Sequence, residues 1–332
     1  MSSSFAPPGE SAYDLWIERS NLNGVILSAV AYGILFTVTF QTLLLFLQRP
    51  KSKIPWGSVT YICVMFILAS IGLGGNAKFN QMTFIDDRNY PGGPNAFTID
   101  FYATPVNLSS FISYTVMSWF ADGMVLWRFN LIWNHNYWLS AFPALMLAGS
   151  IASSIALVIS VTNSGNTFWA SKSVQIGIAY WSLSIALNII LTVLIASRIW
   201  FLRYRIRRSL GSQHSGQYLS VTAMLVESAA LYAVWSTVFL VCYARNTPFQ
   251  NILLPPLGQI QGIAPLLILF RVAQGRGWSQ STVSGNYTQP SRIPVSEVTV
   301  NGAGSRNIEM GLKVNMRTDR VTHWDDGKGS SV

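Results

Sequence analysis

Seven apolar stretches dominate this chain, at roughly residues 24–48, 56–74, 106–127, 138–161, 174–198, 219–243 and 254–272. A helix needs ~20 mostly apolar residues to cover ~30 Å of hydrocarbon at ~1.5 Å rise per residue. Each stretch is about that long, so the expectation is an all-α membrane protein, a seven-transmembrane-helix bundle. Composition agrees, with 50% hydrophobic and only 11% charged residues, against ~25% charged in a soluble domain. No span-free stretch is long enough for a second core.

Charge sets the expected orientation. Arg49, Lys51, Lys53, Arg128, Arg198, Arg203, Arg205, Arg207, Arg208, Arg271 and Arg276 gather beside one set of connections. The opposite set holds only Arg19, Lys78, Arg88, Lys172 and Arg245. Eleven against five is the asymmetry that keeps loops cytoplasmic. It predicts residues 1–23 as an extracellular N-terminus and a cytoplasmic C-terminus, with the plasma membrane as destination. The net charge of +9 is thereby explained by span flanks, and no nucleic-acid partner is expected. Residues 1–23 lack a basic n-region, and the first apolar run exceeds a signal h-region of ~7–15 residues, so it reads as a retained anchor. Cys63 and Cys242 sit at opposite depths, too far apart for a disulfide.

Between the spans, Ser11 to Leu22 reads as a short amphipathic turn. The longest loop, from Gly75 to Pro105, is expected on the outside. Its Pro91-Gly92-Gly93-Pro94 turn and its aromatics Phe79, Phe84, Tyr90, Phe97, Phe101 and Tyr102 suggest an ordered cap over the outer mouth. Asn107-Leu108-Ser109 is an N-glycosylation sequon. Gly149 to Ala156 carries small residues four apart, a packing seam in lipid. Pro255-Pro256 falls in the first turn of the last span and Pro265 in its interior, where proline removes a backbone hydrogen bond. Residues 275–332 are serine-, glycine- and asparagine-rich and read as a disordered cytoplasmic tail.

Of thirteen acidic residues, only Asp122 and Glu227 fall inside spans. A carboxylate there costs ~3 kcal/mol or more and therefore faces a bundle interior or a water-filled cavity. Polar residues recur every four positions, hence on one helix face, as Tyr114, Ser118 and Asp122 in the third span and Tyr180, Ser184 and Asn188 in the fifth. Together with Glu227 they form a candidate intramembrane polar core, either a protonation or cation site or a set of interhelical hydrogen bonds. Gln259 and Gln261 in the last span, with Asp86, Asp87, Arg88 and Tyr90 of the long loop, make a candidate outer pocket. Arg198, Arg203, Arg205, Arg207 and Arg208 form a cytoplasmic basic surface that anchors topology on the bilayer or docks a cytoplasmic signalling partner.

Some chemistries lack their residues. His135, His214 and His323 lie outside the spans, so no intramembrane zinc site is expected. The last span has no lysine for a retinal Schiff base, and neither a P-loop nor an HExxH pattern occurs. No cofactor, metal or enzymatic activity is expected.

Phe84-Ile85-Asp86-Asp87-Arg88-Asn89-Tyr90-Pro91-Gly92-Gly93-Pro94, Asp122-Gly123 with Trp127-Arg128 and Ile132-Trp133, and Glu227-Ser228-Ala229-Ala230-Leu231-Tyr232 carry a resemblance. So do Gln259 through Leu267 and Arg271-Val272-Ala273-Gln274-Gly275. Over roughly residues 15–278 the chain resembles a family of seven-helix membrane proteins of mushroom-forming fungi (Agaricomycetes). The resemblance implies the fold and a fungal origin and carries no activity with it. The topology is also similar to that of G-protein-coupled receptors, although Asp122 and Arg128 are six residues apart and no Asn-Pro-x-x-Tyr closes the last span. The leading expectation is a receptor-like protein sensing an unknown ligand at its outer face. The alternatives are a proton- or cation-coupled transporter or channel using Asp122 and Glu227, and a membrane scaffold.

Overall fold

A computed structural model describes residues 11–134, 137–162, 171–210 and 216–274. Among them every regular element is helical: α1 (Ala12–Leu47), α2 (Trp56–Gln81), α3 (Gly93–Asp100), α4 (Pro105–Ile132), α5 (Tyr137–Thr162), α6 (Ser171–Leu210), α7 (Gly216–Ala244) and α8 (Gln250–Ala273). All but α3 coincide with the seven apolar stretches. By length and composition, α1, α2, α5, α6 and α8 are able to cross a membrane. The residues expected to form a disordered tail lie outside the described residues.

Several helices outrun the hydrocarbon. At ~1.5 Å per residue, the 36 residues of α1 and the 40 of α6 extend ~54 and ~60 Å, well beyond ~30 Å of core. The expected separate turn at the N-terminus is instead the start of α1. A capping box begins it, with the Ser11 hydroxyl accepting from Asp14 N and the Asp14 carboxylate accepting from Ser11 N. That satisfies two donors that would otherwise face water. The last span also starts earlier than expected. It begins at Gln250, so Pro255 and Pro256 lie inside α8 rather than in its first turn.

The helices pack as a ring in chain order, α1, α2, α4, α5, α6, α7 and α8, closed by α8 against α1. Helix α4 also meets α6 and α8, which places it across the middle of the ring. The buried face of α1 shows why it pairs with α8. Ser20, Gly24, Ser28, Ala31, Leu35, Thr39, Thr42 and Phe46 are buried at spacings of three and four, one stripe of a helix. Gly24 lets the two backbones touch, since a Cβ there would lie 2.3 Å from Asn251 O. That carbonyl has lost its own helical donor to Pro255. Ser28 donates to Pro255 O at 3.1 Å. On the opposite face Ile26, Val30 and Phe40 are each more than half exposed. Trp138 and Leu145 on α5 are more so, at 93% and 73%. Such a belt of large apolar side chains is unusual on a soluble protein and fits a multi-pass integral membrane protein.

The seam on α5 meets its neighbours. Ser150 and Ser154 are buried, Trp119 of α4 donates to Ser154 Oγ at 2.9 Å, and Gly149 faces Leu183 of α6. At the α1 C-terminus, Arg49 donates to the carbonyls of Val272 and Ala273 at 2.9 and 2.8 Å. A cation on the last carbonyls of α8 suits their partial negative charge. Cys63 and Cys242 are both free thiols.

The long loop is ordered. A π-helical turn, Met82–Asp86, extends α2. Gly92 and Gly93 then turn the chain at φ of 90° and 77°, backbone that side-chain-bearing residues avoid, and α3 follows. Phe97 is buried and stacks on Phe101 with centroids 4.8 Å apart, and Tyr90 meets its edge. Asn95 ties α3 to α1 by donating to Asp14 O at 3.2 Å.

Candidate functional site

Two of the polar stripes read from the sequence face one another across α4 and α6. The Asp122 carboxyl is 2% exposed, and its Oδ2 accepts from Ser184 Oγ at 2.8 Å. Ser184 has one proton and gives it to the carboxylate, so Tyr232 of α7, 3.0 Å away, donates to Ser184. One turn higher, Ser118 Oγ accepts from Tyr180 at 2.9 Å and from Gln261 Nε2 of α8 at 2.8 Å. Asn188 is buried on the α6 side of the same carboxyl. The network thus joins α4, α6, α7 and α8. Asp122 Oδ1 is buried without a hydrogen bond. Glu227 falls on α7, but its side chain lies outside the described residues.

Tyr114, the outermost member of the α4 stripe, works on the other side. Its ring sits between Gly72 of α2 and Gly258 of α8, where added Cβ atoms would lie 2.6 and 2.5 Å from it. Gln259 Nε2 bridges the Tyr114 hydroxyl at 3.0 Å and Ala69 O at 3.2 Å, which leaves the buried Gln259 Oε1 without a donor.

Three cavities lie in series at the end of the bundle that carries α3. The largest, about 280 Å³, is walled by α1, α3 and the α7–α8 connection, with Asp14, Asn21, Asn95, Asn246 and Gln250 among its residues. It shares Asn21, Thr98 and Asn251 with a second of about 70 Å³. That one shares Asn76, Tyr102 and Asn107 with a third of about 80 Å³, whose floor is Tyr180 and Gln261. One water needs ~10–15 Å³, so each holds several waters or part of a small molecule. The innermost ends on the two side chains that hydrogen-bond Ser118, one turn from Asp122.

The outer pocket expected from the sequence is rearranged. Gln261 lines the innermost cavity and Gln259 is buried behind it. Asp86, Asp87 and Arg88 are exposed and line none of these cavities, because the turn extending α2 carries them out into solvent. Asp86 pairs with Lys78 at 3.1 Å on the surface. Tyr90 belongs to the aromatic packing of the cap and donates to Asp100 at 3.0 Å. Asn107 of the sequon is buried at 9% exposure, donates to Tyr102 O at 2.8 Å and lines two of the cavities. In the basic surface, Arg198 is half-buried and stacks over the Trp133 ring at 5.0 Å. The side chains of Arg203, Arg205, Arg207 and Arg208 lie outside the described residues.

Sequence reasoning missed the cavity amides Asn21, Asn76, Asn80, Gln250 and Asn251. Their signal was there, since Asn76 and Asn80 are four apart and so share a face once α2 is carried past residue 74. No protein-family model, curated protein or solved structure matches this chain.

Proposed function

We propose that this chain is a receptor-like seven-helix protein of the plasma membrane, with its N-terminus outside. It binds a small ligand in the cavities under the α3 cap and passes the event inward through the Asp122 network. One observation carries this reading: the cavity series ends on Tyr180 and Gln261, the two side chains that hold Ser118 of α4. A ligand displacing either would alter hydrogen bonds shared by α4, α6, α7 and α8, and only such differential contacts can shift a conformational equilibrium. The basic end of α6 would then meet a cytoplasmic signalling partner. The seven-span topology expected from the sequence, similar to that of G-protein-coupled receptors, adds fold-level analogy alone.

The unpartnered Asp122 Oδ1 favours a second reading, a proton- or cation-coupled transporter. Reconstituted vesicles carrying a proton or potassium gradient separate the two. The receptor reading expects flux no higher than in empty vesicles. Flux that disappears in Asp122→Asn would replace it with the transporter. Epitope tags on intact cells test the orientation, and an exposed C-terminal tag would reverse it.

A further inference from the structure

The walls of the outermost cavity hold unused acceptors and a negative charge. Gln250 is 3% exposed. Its Nε2 donates to Asn246 Oδ1 at 3.2 Å, which leaves Oε1 buried and without a donor. Asp14 stands in the same wall, and no lysine, arginine or histidine lines any of the three cavities. In the next cavity Asn80 repeats the pattern. Its Nδ2 faces two acceptors, Asn76 O and Oδ1, both at 3.1 Å, so Oδ1 is the atom left over. Below lie Gln259 Oε1 and Asp122 Oδ1, again unpartnered oxygens. Among the described residues, the buried groups with an unused donor, Thr39 Oγ1, Arg128 Nε and Trp133 Nε1, lie away from these cavities.

The unpartnered oxygens and Asp14 call for donors and positive charge, beside the amide N–H groups that Asn21, Asn246 and Asn251 bring to the same wall. A polyol or an amide leaves the Asp14 charge unanswered, and an anion finds no cation. A protonated amine carries only N–H donors and a positive charge that suits Asp14. Tyr13, Ile17, Ile99 and Pro248 in the same wall give an apolar surface for an organic body, which a bare metal ion would not use. We propose that the outermost cavity binds a small organic ammonium ion, its N–H groups on Gln250 Oε1 and its charge beside Asp14. This deepens the receptor reading and rests on the cavity being open to the outside.

The test uses the full chain in lipid nanodiscs, with n-butylammonium chloride as probe at constant ionic strength. Tetramethylammonium, with the charge but no N–H, and 1-butanol, with neither charge nor ammonium donors, are the controls. Butylammonium is expected to raise the unfolding temperature saturably while the controls do not. Gln250→Leu should weaken its apparent affinity about tenfold, as loss of one charge-assisted hydrogen bond does. Gln250→Glu, of the same shape, should strengthen it. Equal stabilisation by tetramethylammonium or by 1-butanol would overturn the proposal, as would affinity unchanged in Gln250→Leu and Gln250→Glu. If butylammonium fails while a cysteine at Asn76 still reacts with a non-permeant reagent from outside, the ligand class is wrong and the outward cavity stands. If that cysteine is unreactive from outside, both fall.

Discussion

At the end of the bundle away from α3, Phe46, Ile62, Met65, Met124, Leu266 and Leu269 bury one another in a single apolar cluster. Polar contacts there include Arg49 closing the end of α8 and Tyr61 donating to Phe120 O at 3.1 Å, and the donors Arg128 Nε and Trp133 Nε1 are buried there without hydrogen-bond partners. At the α3 end, amides and tyrosines line three cavities and several buried oxygens lack partners. Apolar packing specifies structure, and a cavity of about 320 Å³ beside this cluster, between α1 and α2, is lined by apolar side chains and Thr39 and offers a ligand little to hydrogen-bond. Unfilled volume and unmet hydrogen bonds give up stability and make sense where another molecule supplies what is missing. The contrast assigns rigidity to one end and recognition to the other.

The largest effect should come from cutting into the apolar end. Phe46→Ala removes a fully buried ring and is expected to destabilise by about 3–5 kcal/mol. Asn80→Ala, in a cavity wall, should stay within about 0.5 kcal/mol. Denaturant unfolding in lipid nanodiscs reads both, and equal losses would erase the contrast.

Next come the glycines. Gly258→Ala drives a Cβ to 2.5 Å from the Tyr114 ring, an overpacking expected to cost about 1–3 kcal/mol. Gly123→Ala meets nothing within 4 Å and should be neutral or slightly stabilising by helix propensity. The same unfolding assay ranks them, and a neutral Gly258→Ala would mean that Tyr114 is not wedged between α2 and α8.

The polar network should show coupling. Ser184→Ala strands the Asp122 carboxyl and the Tyr232 hydroxyl and is expected to cost about 1–3 kcal/mol. Combined with Asp122→Leu, the loss should be less than the sum of the singles by about 0.5–3 kcal/mol. Strict additivity would dissolve the network.

The smallest effect concerns the cap. The Asp100 carboxylate, accepting from the Tyr90 hydroxyl, raises the phenol above its usual range. A group raised on folding contributes below its unfolded value, ~10 for tyrosine, and that contribution is lost as pH rises through the folded value. Protease cutting within residues 84–94 should therefore accelerate above pH ~10 in the native chain. In Tyr90→Phe that acceleration should vanish.

How much of this was legible depended on where hydrocarbon decides. Inside the spans the four-residue spacing of Tyr114, Ser118 and Asp122, and of Tyr180, Ser184 and Asn188, was enough to place them on facing stripes, because lipid forces such residues inward. Beyond the spans that pressure ends. The apolar runs stop near residues 74 and 254, while the helices run on to Gln81 and back to Gln250. The amides they carry looked like loop residues. The charged run Asp86-Asp87-Arg88 suggested a pocket by composition, but a π-helical turn points it into solvent, and only tertiary structure reveals that. Tyr232, three spans on from Asp122 in sequence, carried no spacing signal at all.

The most direct test compares access to the two ends. In a Cys63→Ser, Cys242→Ser background, Asn76→Cys lies in the wall shared by the two inner cavities, and Met65→Cys sits in the apolar cluster, where Met65 is fully buried. With a non-permeant thiol reagent on intact cells and on inside-out vesicles, the cysteine at Asn76 should react from outside only, and that at Met65 from neither side. Reaction at Asn76 from the cytoplasmic face, or at Met65 from either, would contradict an outward ligand site resting on a closed inner core.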